Sequence, residues 1–270
     1  MTPFENTCDC HAHIFGDHQR YPLAPGADYR PTTATADDYQ AMLNSLAIDR
    51  CVLVQPSVYD TDNSCMLDAL TQLGPRARGV AVIASDTPLE QLQAMHALGV
   101  RGIRLNTLAA NGPTLDQLPA AEKQIADLPW HLQLLLEPDT LRRAFERIEE
   151  LKGTVVLDHF ASCSPKTDTH TLDALFALVS SKTNVWVKLS APYLFSDGSA
   201  AALSHYQAFI ARAVECMPDR LLWGTDWPHT ARRDANLSTA ELQQFLLTAI
   251  SDAQAREQIA VHNPANLYGY

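Results

Sequence analysis

The sequence predicts a (β/α)8 barrel built as a single domain over residues 1–270. Three observations predict it. The chain has 270 residues, close to the roughly 250 of such a barrel. Short apolar runs alternate with longer segments of helical period, which is the pattern of βα units around a parallel sheet. The runs are nearly free of polar residues, as in Cys51-Val52-Leu53-Val54 and Thr154-Val155-Val156-Leu157. Continuous apolar strands fit burial on both faces. An open doubly wound sheet is the competing architecture, but no Gly-rich phosphate loop supports it.

The elements follow in order. A first strand is expected over Thr7–Phe15. The stretch from Gly16 to Asp37 has no period and carries Tyr21-Pro22, Ala24-Pro25-Gly26 and Arg30-Pro31, so it reads as a long first βα loop. Loops of this length are more often functional than idle. A helix is expected over Asp37–Ala47, a strand over Arg50–Ser57 and a helix over Asn63–Leu73. Next come a strand over Arg78–Ser85 and a helix over Pro88–Leu98, with Asp86-Thr87 as cap and Pro88 in its first turn. The pattern continues with strands over Val100–Asn106, His131–Glu137, Thr154–Phe160, Val185–Ala191 and Leu221–Pro228. The helices between and after them are Asp116–Leu128, Pro138–Leu151, Thr171–Ser181, Ala201–Cys216 and Thr239–Ile250.

Composition narrows the function classes. Hydrophobic residues at 46% and charged residues at 19% support a large core and exclude disorder, collagen and coiled coil. The net charge of −11 comes with no Lys/Arg block, which argues against nucleic acid as a partner. The longest apolar runs, such as Leu132 to Leu136, are too short to span a bilayer. Met1 to Thr7 is neither basic nor apolar, so no signal peptide is expected. Six scattered cysteines, at 8, 10, 51, 65, 163 and 216, read as reduced thiols of a cytoplasmic protein.

Four polar clusters fall at strand ends, where barrel enzymes keep their catalytic groups. In His11-Ala12-His13 the imidazoles are two apart and share a face of the strand. Together they can bind a divalent metal or polarise a carbonyl. Asp158-His159 ends the sixth strand; His159 is expected inward, with Asp158 either orienting it or bonding on the helix side. Asp226 ends the eighth strand in Gly224-Thr225-Asp226-Trp227-Pro228-His229. A carboxylate facing three imidazoles can ligate a metal or take a proton from water. The fourth cluster comprises Ser57, Arg104, Lys188 and Ser190, with Tyr29 on the long loop. Arg104 can hold a substrate carboxylate or pair with Glu137 or Asp226. Cys8 and Cys10 are not zinc ligands on this reading, because strand alternation turns Cys10 away from the histidines.

These residues, in this order, resemble the amidohydrolase superfamily: His11-x-His13 on the first strand, His159 on the sixth and Asp226 on the last. The resemblance narrows through Asp9-Cys10-His11-Ala12-His13-Ile14-Phe15-Gly16, Val54-Gln55-Pro56-Ser57 with Asp62-Asn63, and Arg101-Gly102-Ile103-Arg104-Leu105-Asn106. Trp223 to His229 and Asn263-Pro264-Ala265-Asn266-Leu267-Tyr268-Gly269 add to it. This is similar to the branch of 2-pyrone-4,6-dicarboxylate lactonase and sugar-acid lactonases. The resemblance implies a barrel that opens a small lactone with water. It implies Asp226 as general base and His11, His13 and His159 as the groups that polarise the carbonyl. Tyr29, Ser57, Arg104 and Ser190 would bind substrate.

In that branch the metal is often dispensable. No cofactor is therefore required on this reading; a single divalent ion such as zinc would use the same four residues. No bridging lysine is evident at an inward position. Where the dicarboxylate lactonase uses several arginines, this chain has Arg104 alone. Thr107-Leu108-Ala109-Ala110-Asn111 and Ala191-Pro192-Tyr193-Leu194-Phe195 supply no second one. A lone arginine favours a lactone with one carboxylate, or a neutral sugar lactone. Lactone isomerisation, metal-dependent decarboxylation and a binding module derived from such a barrel are the alternatives. A homo-oligomer is compatible with the exposed barrel helices.

Overall fold

The structure, a computed structural model, describes residues 4–109, 112–230 and 238–270. Ala110 and Asn111 of the segment read above lie outside these residues. Eight parallel strands follow one another around the sheet in chain order. They are β1 (Cys8–Ala12), β2 (Arg50–Val54), β3 (Ala77–Ala81), β4 (Val100–Asn106), β5 (His131–Leu135), β6 (Val155–Leu157), β7 (Val185–Leu189) and β8 (Leu221–Trp223). A bridge between Ala12 and Trp227 joins the last strand's extension to the first, with His13 N donating to Trp227 O at 2.8 Å. Gly224 permits this closure, because a Cβ there would stand 2.7 Å from the His11 main-chain nitrogen.

The helices are α1 (Ala36–Ser45), α2 (Ser64–Leu73), α3 (Leu89–Ala97), α4 (Leu118–Gln124), α5 (Leu141–Glu149), α6 (Thr169–Ser181), α7 (Ala200–Cys216) and α8 (Thr239–Ala249). Capping boxes start α1 at Thr35 with Asp38 and α8 at Ser238 with Glu241. At α3 the expected cap is not used: Pro88 is itself the residue before the helix. Beyond α8 the chain adds α9 (Ala253–Glu257), a π turn over Gln258–His262 and α10 (Asn263–Tyr268), none of which periodicity revealed.

Alternation sorts the strand residues into two layers. Leu53, Val155, Leu157, Val187 and Leu189 face the helices. Val52, Val54, Val80, Val156 and Leu222 fill the barrel interior with Cys8, Cys10 and Tyr268. Strand β1 departs from strict alternation. Its register runs Asp9 to Cys51 and then Ala12 to Leu53, three residues against two, which is a bulge. The bulge sends Cys10 and His11 to the same interior, so Cys10 does not face away from the histidines as alternation requires. Most strands also end two to five residues earlier than expected. Their last residues leave the ladder to build the rim, and rim polarity was read as strand.

Candidate active site

At the C-terminal mouth of the barrel four buried side chains converge. Asp226 Oδ1 stands 3.6 Å from His11 Nε2, 3.6 Å from His13 Nε2 and 3.9 Å from His159 Nε2. The Nε2 atoms of His11 and His13 are 3.3 Å apart. The bulge in β1 aims His11, and left-handed backbone aims the other two strand-end groups. Asp226 has φ 59°, and His159, Phe160, Ala161 and Ser162 have φ of 48°, 57°, 55° and 58°. Non-glycine residues there each cost about 1–3 kcal/mol and persist only where surrounding contacts hold them. Asp226 N donates to His11 O at 2.8 Å, and Ser162 N donates to His159 O at 3.0 Å. Ser162 Oγ accepts from Leu136 N.

A second layer lies beneath. Asp158 does not orient His159. Alternation after Leu157 turns Asp158 inward, and the left-handed turn that begins at His159 brings that imidazole in beside it. Asp158 Oδ1 stands 3.3 Å from His11 Nδ1. Its Oδ2 accepts from Arg104 Nε at 3.1 Å and from Gln133 Nε2 at 3.1 Å. Lys188 Nζ lies 3.8 Å from Asp158 Oδ1 and donates to Cys10 O and Gln133 Oε1. A buried lysine therefore does occupy an inward position, under the site rather than between ligands. Arg104 pairs with Asp158, not with Glu137 or Asp226. No described residue accepts from its two terminal nitrogens. Ser190 Oγ meets His159 Nδ1 at 2.8 Å, which places it behind the imidazole. Ser57 lines the open cavity beside Arg104. The Tyr29 hydroxyl reaches Ser57 and Thr230 and lies near Arg104 and Asp226; burial raises its pKa.

Hydrogen-bond direction sets the tautomers. The Val54 carbonyl only accepts, so His13 Nδ1, 2.7 Å from it, is the donor. Asp158 likewise calls for a proton on His11 Nδ1. Neutral rings of this kind turn both Nε2 lone pairs toward one point. Two lone pairs 3.3 Å apart beside a carboxylate repel unless a proton or a metal cation lies among them. A tetrahedral ion with ligand bonds of about 2.0–2.1 Å sets its donors roughly 3.3 Å apart, so the residues present fit a divalent metal. His11, His13 and Asp226 form one group able to hold it, and His11, Asp158 and His159 another.

Burial lowers the pKa of His11 and His159 and favours neutral rings, against the opposing pull of Asp158 and Asp226. Burial alone would raise the Asp226 carboxyl. The surrounding imidazoles, His13 foremost, outweigh it, and the net shift is down. Asp158 is likewise lowered by His11, Lys188 and Arg104 against its burial.

One chain of contacts escaped the sequence reading. Tyr193 Oη donates to Asp226 Oδ2 at 2.6 Å, and His229 Nδ1 lies 2.9 Å from the same hydroxyl. A hydroxyl that donates to a carboxylate must accept its second bond, so His229 Nδ1 carries the proton. His229 Nε2 then accepts from Thr239 Oγ1 at 2.7 Å. Tyr193 occupies one carboxylate oxygen of Asp226 and leaves Oδ1 to the histidines. His229 stood within a quoted motif, whereas Tyr193 follows β7 with no local signal.

A parallel barrel with three imidazoles and a carboxylate at its C-terminal mouth defines an enzyme of acid–base or metal-assisted chemistry. The chain belongs to the amidohydrolase family, whose model matches residues 8–270. It is 32% identical over 271 residues to a 2-pyrone-4,6-dicarboxylate hydrolase of Comamonas testosteroni, covering 96% of this chain and 89% of that one. It is 26% identical to a D-galactarolactone isomerase of Agrobacterium fabrum, covering 92% and 86%. Its fold matches the crystal structure of a probable 2-pyrone-4,6-dicarboxylic acid hydrolase from Acinetobacter baumannii with citric acid bound. That match has a TM-score of 0.87 and 28% identity, and covers 98% of this chain and all of that one.

Proposed function

We propose that this protein is a lactonase that hydrolyses a small lactone bearing one carboxylate. The observation that carries this reading is the single carboxylate oxygen, Asp226 Oδ1, facing three imidazoles, with the Arg104 guanidinium nearby, held by Asp158 through Nε and with two terminal nitrogens that no described residue engages. Asp226, ionised at neutral pH, takes a proton from water as the water oxygen bonds to the lactone carbonyl carbon. His11, His13 and His159 surround the carbonyl oxygen as negative charge develops there. A proton on His13 Nε2 both relieves the lone-pair repulsion and supplies a donor to that oxygen. The ring C–O bond then breaks, and Asp226 returns its proton to the leaving oxygen. The product is an open hydroxy acid. Arg104 is offered to the carboxylate of the substrate, with Tyr29 and Ser57 beside it, and Ser190 holds the His159 ring. Relatives acting on a pyrone dicarboxylate and on galactarolactone support the lactone class.

The reaction written this way uses a proton where a metal would otherwise sit. If an ion is bound, His11, His13, His159 and Asp226 hold it, and it lowers the pKa of a water toward neutrality. Isomerisation is the second reading, favoured by the galactarolactone relative: the same groups can move the acyl group between hydroxyls without water.

A pH-indicator assay on chelator-treated protein tests the proposal, using pyrone carboxylates, muconolactones, aldonolactones and aldarolactones. Acid release with a product heavier by one water is expected. A product of unchanged mass would replace hydrolysis by isomerisation. Activity that appears only after zinc is restored would replace the proton by the ion.

A further inference from the structure

Beside the catalytic cluster lies a cavity of about 430 Å³ between the ends of β2, β3 and β4, the first βα loop and α4. The four convergent side chains do not line it. It meets them through Arg104, whose Nε is held by Asp158, which in turn faces His11. The volume falls within the roughly 300–1,000 Å³ of pockets that enclose drug-sized ligands. It is more than a lactone ring with one carboxylate needs.

The walls are mainly apolar: Val82, Ile83, Ala109, Pro113, Ala120 and Ala121. Most amides that reach the cavity are already committed. Gln55 Nε2 donates to Asp60 O and Asp62 O, and Gln124 Nε2 donates to Ala84 O. Asn106 Oδ1 accepts from Leu108 N, and Gln117 Oε1 accepts from Thr114 N. Hydroxyls of Thr61 and Ser85 remain, as does the buried Gln55 Oε1, which has no partner among the described residues. Among the described lining residues Arg104 is the one cation, and it sits at the inner end. Two exposed carboxylates, Asp28 and Asp60, stand at the rim.

We infer that the substrate is a monoanionic lactone with an uncharged, mainly hydrocarbon substituent that extends from the ring into this cavity. The reasoning rests on the lactonase reading above and sharpens its substrate class. A single anion meets Arg104. A second anion at the far end would meet apolar walls and two carboxylates, where no described lining residue supplies a cation to repay its desolvation. A hydrocarbon chain there gains with every buried methylene. That gain is the source of selectivity against short dicarboxylates.

The test uses γ-butyrolactone carboxylates with a linear ring substituent from methyl to hexyl, together with their ring-opened hydroxy acids. Turnover of the lactones and calorimetric binding of the hydroxy acids are measured on the full chain. Affinity and kcat/KM are expected to rise about fourfold per methylene until the cavity is full. Ala121→Phe, which places a ring in the cavity, should flatten that slope in both series; Ala120→Phe on the same wall is the second variant if the first fails to fold. A flat series in the wild type overturns the inference. So does tighter binding of an analogue whose chain ends in a carboxylate. If binding climbs with chain length while no lactone is opened, the lactonase reading falls and the apolar subsite stands.

Discussion

The two ends of the barrel are built from the same strands and treat polar groups in opposite ways. At the C-terminal mouth, His11, His13, His159 and Asp226 turn their free valences toward one point. Arg104 has two terminal nitrogens that no described residue engages. At the N-terminal floor, cationic groups are spent on the chain's own terminus. Arg78 donates to Tyr268 O at 3.1 Å and to Gly269 O at 2.7 Å. The guanidinium groups of Arg50 and Arg78 lie 5.0 and 4.5 Å from the centre of the Tyr270 ring. The Tyr270 hydroxyl donates to Cys51 O, and the Tyr268 ring plugs the interior edge-on against His131. Burial holds His131 neutral, its pKa lowered to about 3. Polar groups answered within the chain secure the fold, whereas groups left unanswered are available to a ligand. The layer of Lys188, Gln133 and Asp158 lies between the ends and ties one to the other.

Substitutions at the two ends should separate chemistry from stability. Asp226→Asn keeps the shape and removes the base. Turnover should fall by about 10²–10⁴-fold while the thermal midpoint stays close to that of the parent; near-normal turnover would remove Asp226 from the mechanism. Tyr268→Ala opens the floor. It should cost about 3–5 kcal/mol in urea unfolding and leave kcat of the folded protein intact. A matching drop in kcat would show that the floor governs the mouth. The smallest effect is expected at Tyr193→Phe, which deletes the donor to Asp226 Oδ2. A hydrogen bond to a charged group is worth about 1.5–3 kcal/mol, so kcat should fall roughly ten- to a hundredfold with KM unchanged. His229→Asn, which keeps an N–H donor near the Tyr193 hydroxyl, should lose less than His229→Leu. A rise in KM instead would place Tyr193 on the substrate rather than on the carboxylate.

Much of this was readable in the chain itself. The strands β2, β4 and β7 begin where their apolar runs begin, since a strand buried on both faces tolerates little else. The site members His11, His13, His159 and Asp226 were readable because ionisable residues at the ends of apolar strands have few structural uses. Their aim was not. Alternation assigns one inward member to Asp158-His159, yet both point inward, since four left-handed residues follow Asp158. It turns Cys10 outward, yet a bulge brings it in. Bulges and left-handed turns are set by contacts such as Asp226 N to His11 O, which join residues more than two hundred positions apart.

The chain of residues thus determined by itself the barrel, the order of its elements and the chemical types at its mouth. Each follows from hydrophobic period and local preference, which act over a few neighbouring residues. Only the tertiary structure decided that Asp158 serves His11 and Arg104, that Tyr193 and His229 hold Asp226, and that a mainly apolar cavity reached by Arg104 lies beside the site. Those are facts of closure: they arise when eight strand ends meet around one axis, and no local stretch of sequence contains that meeting.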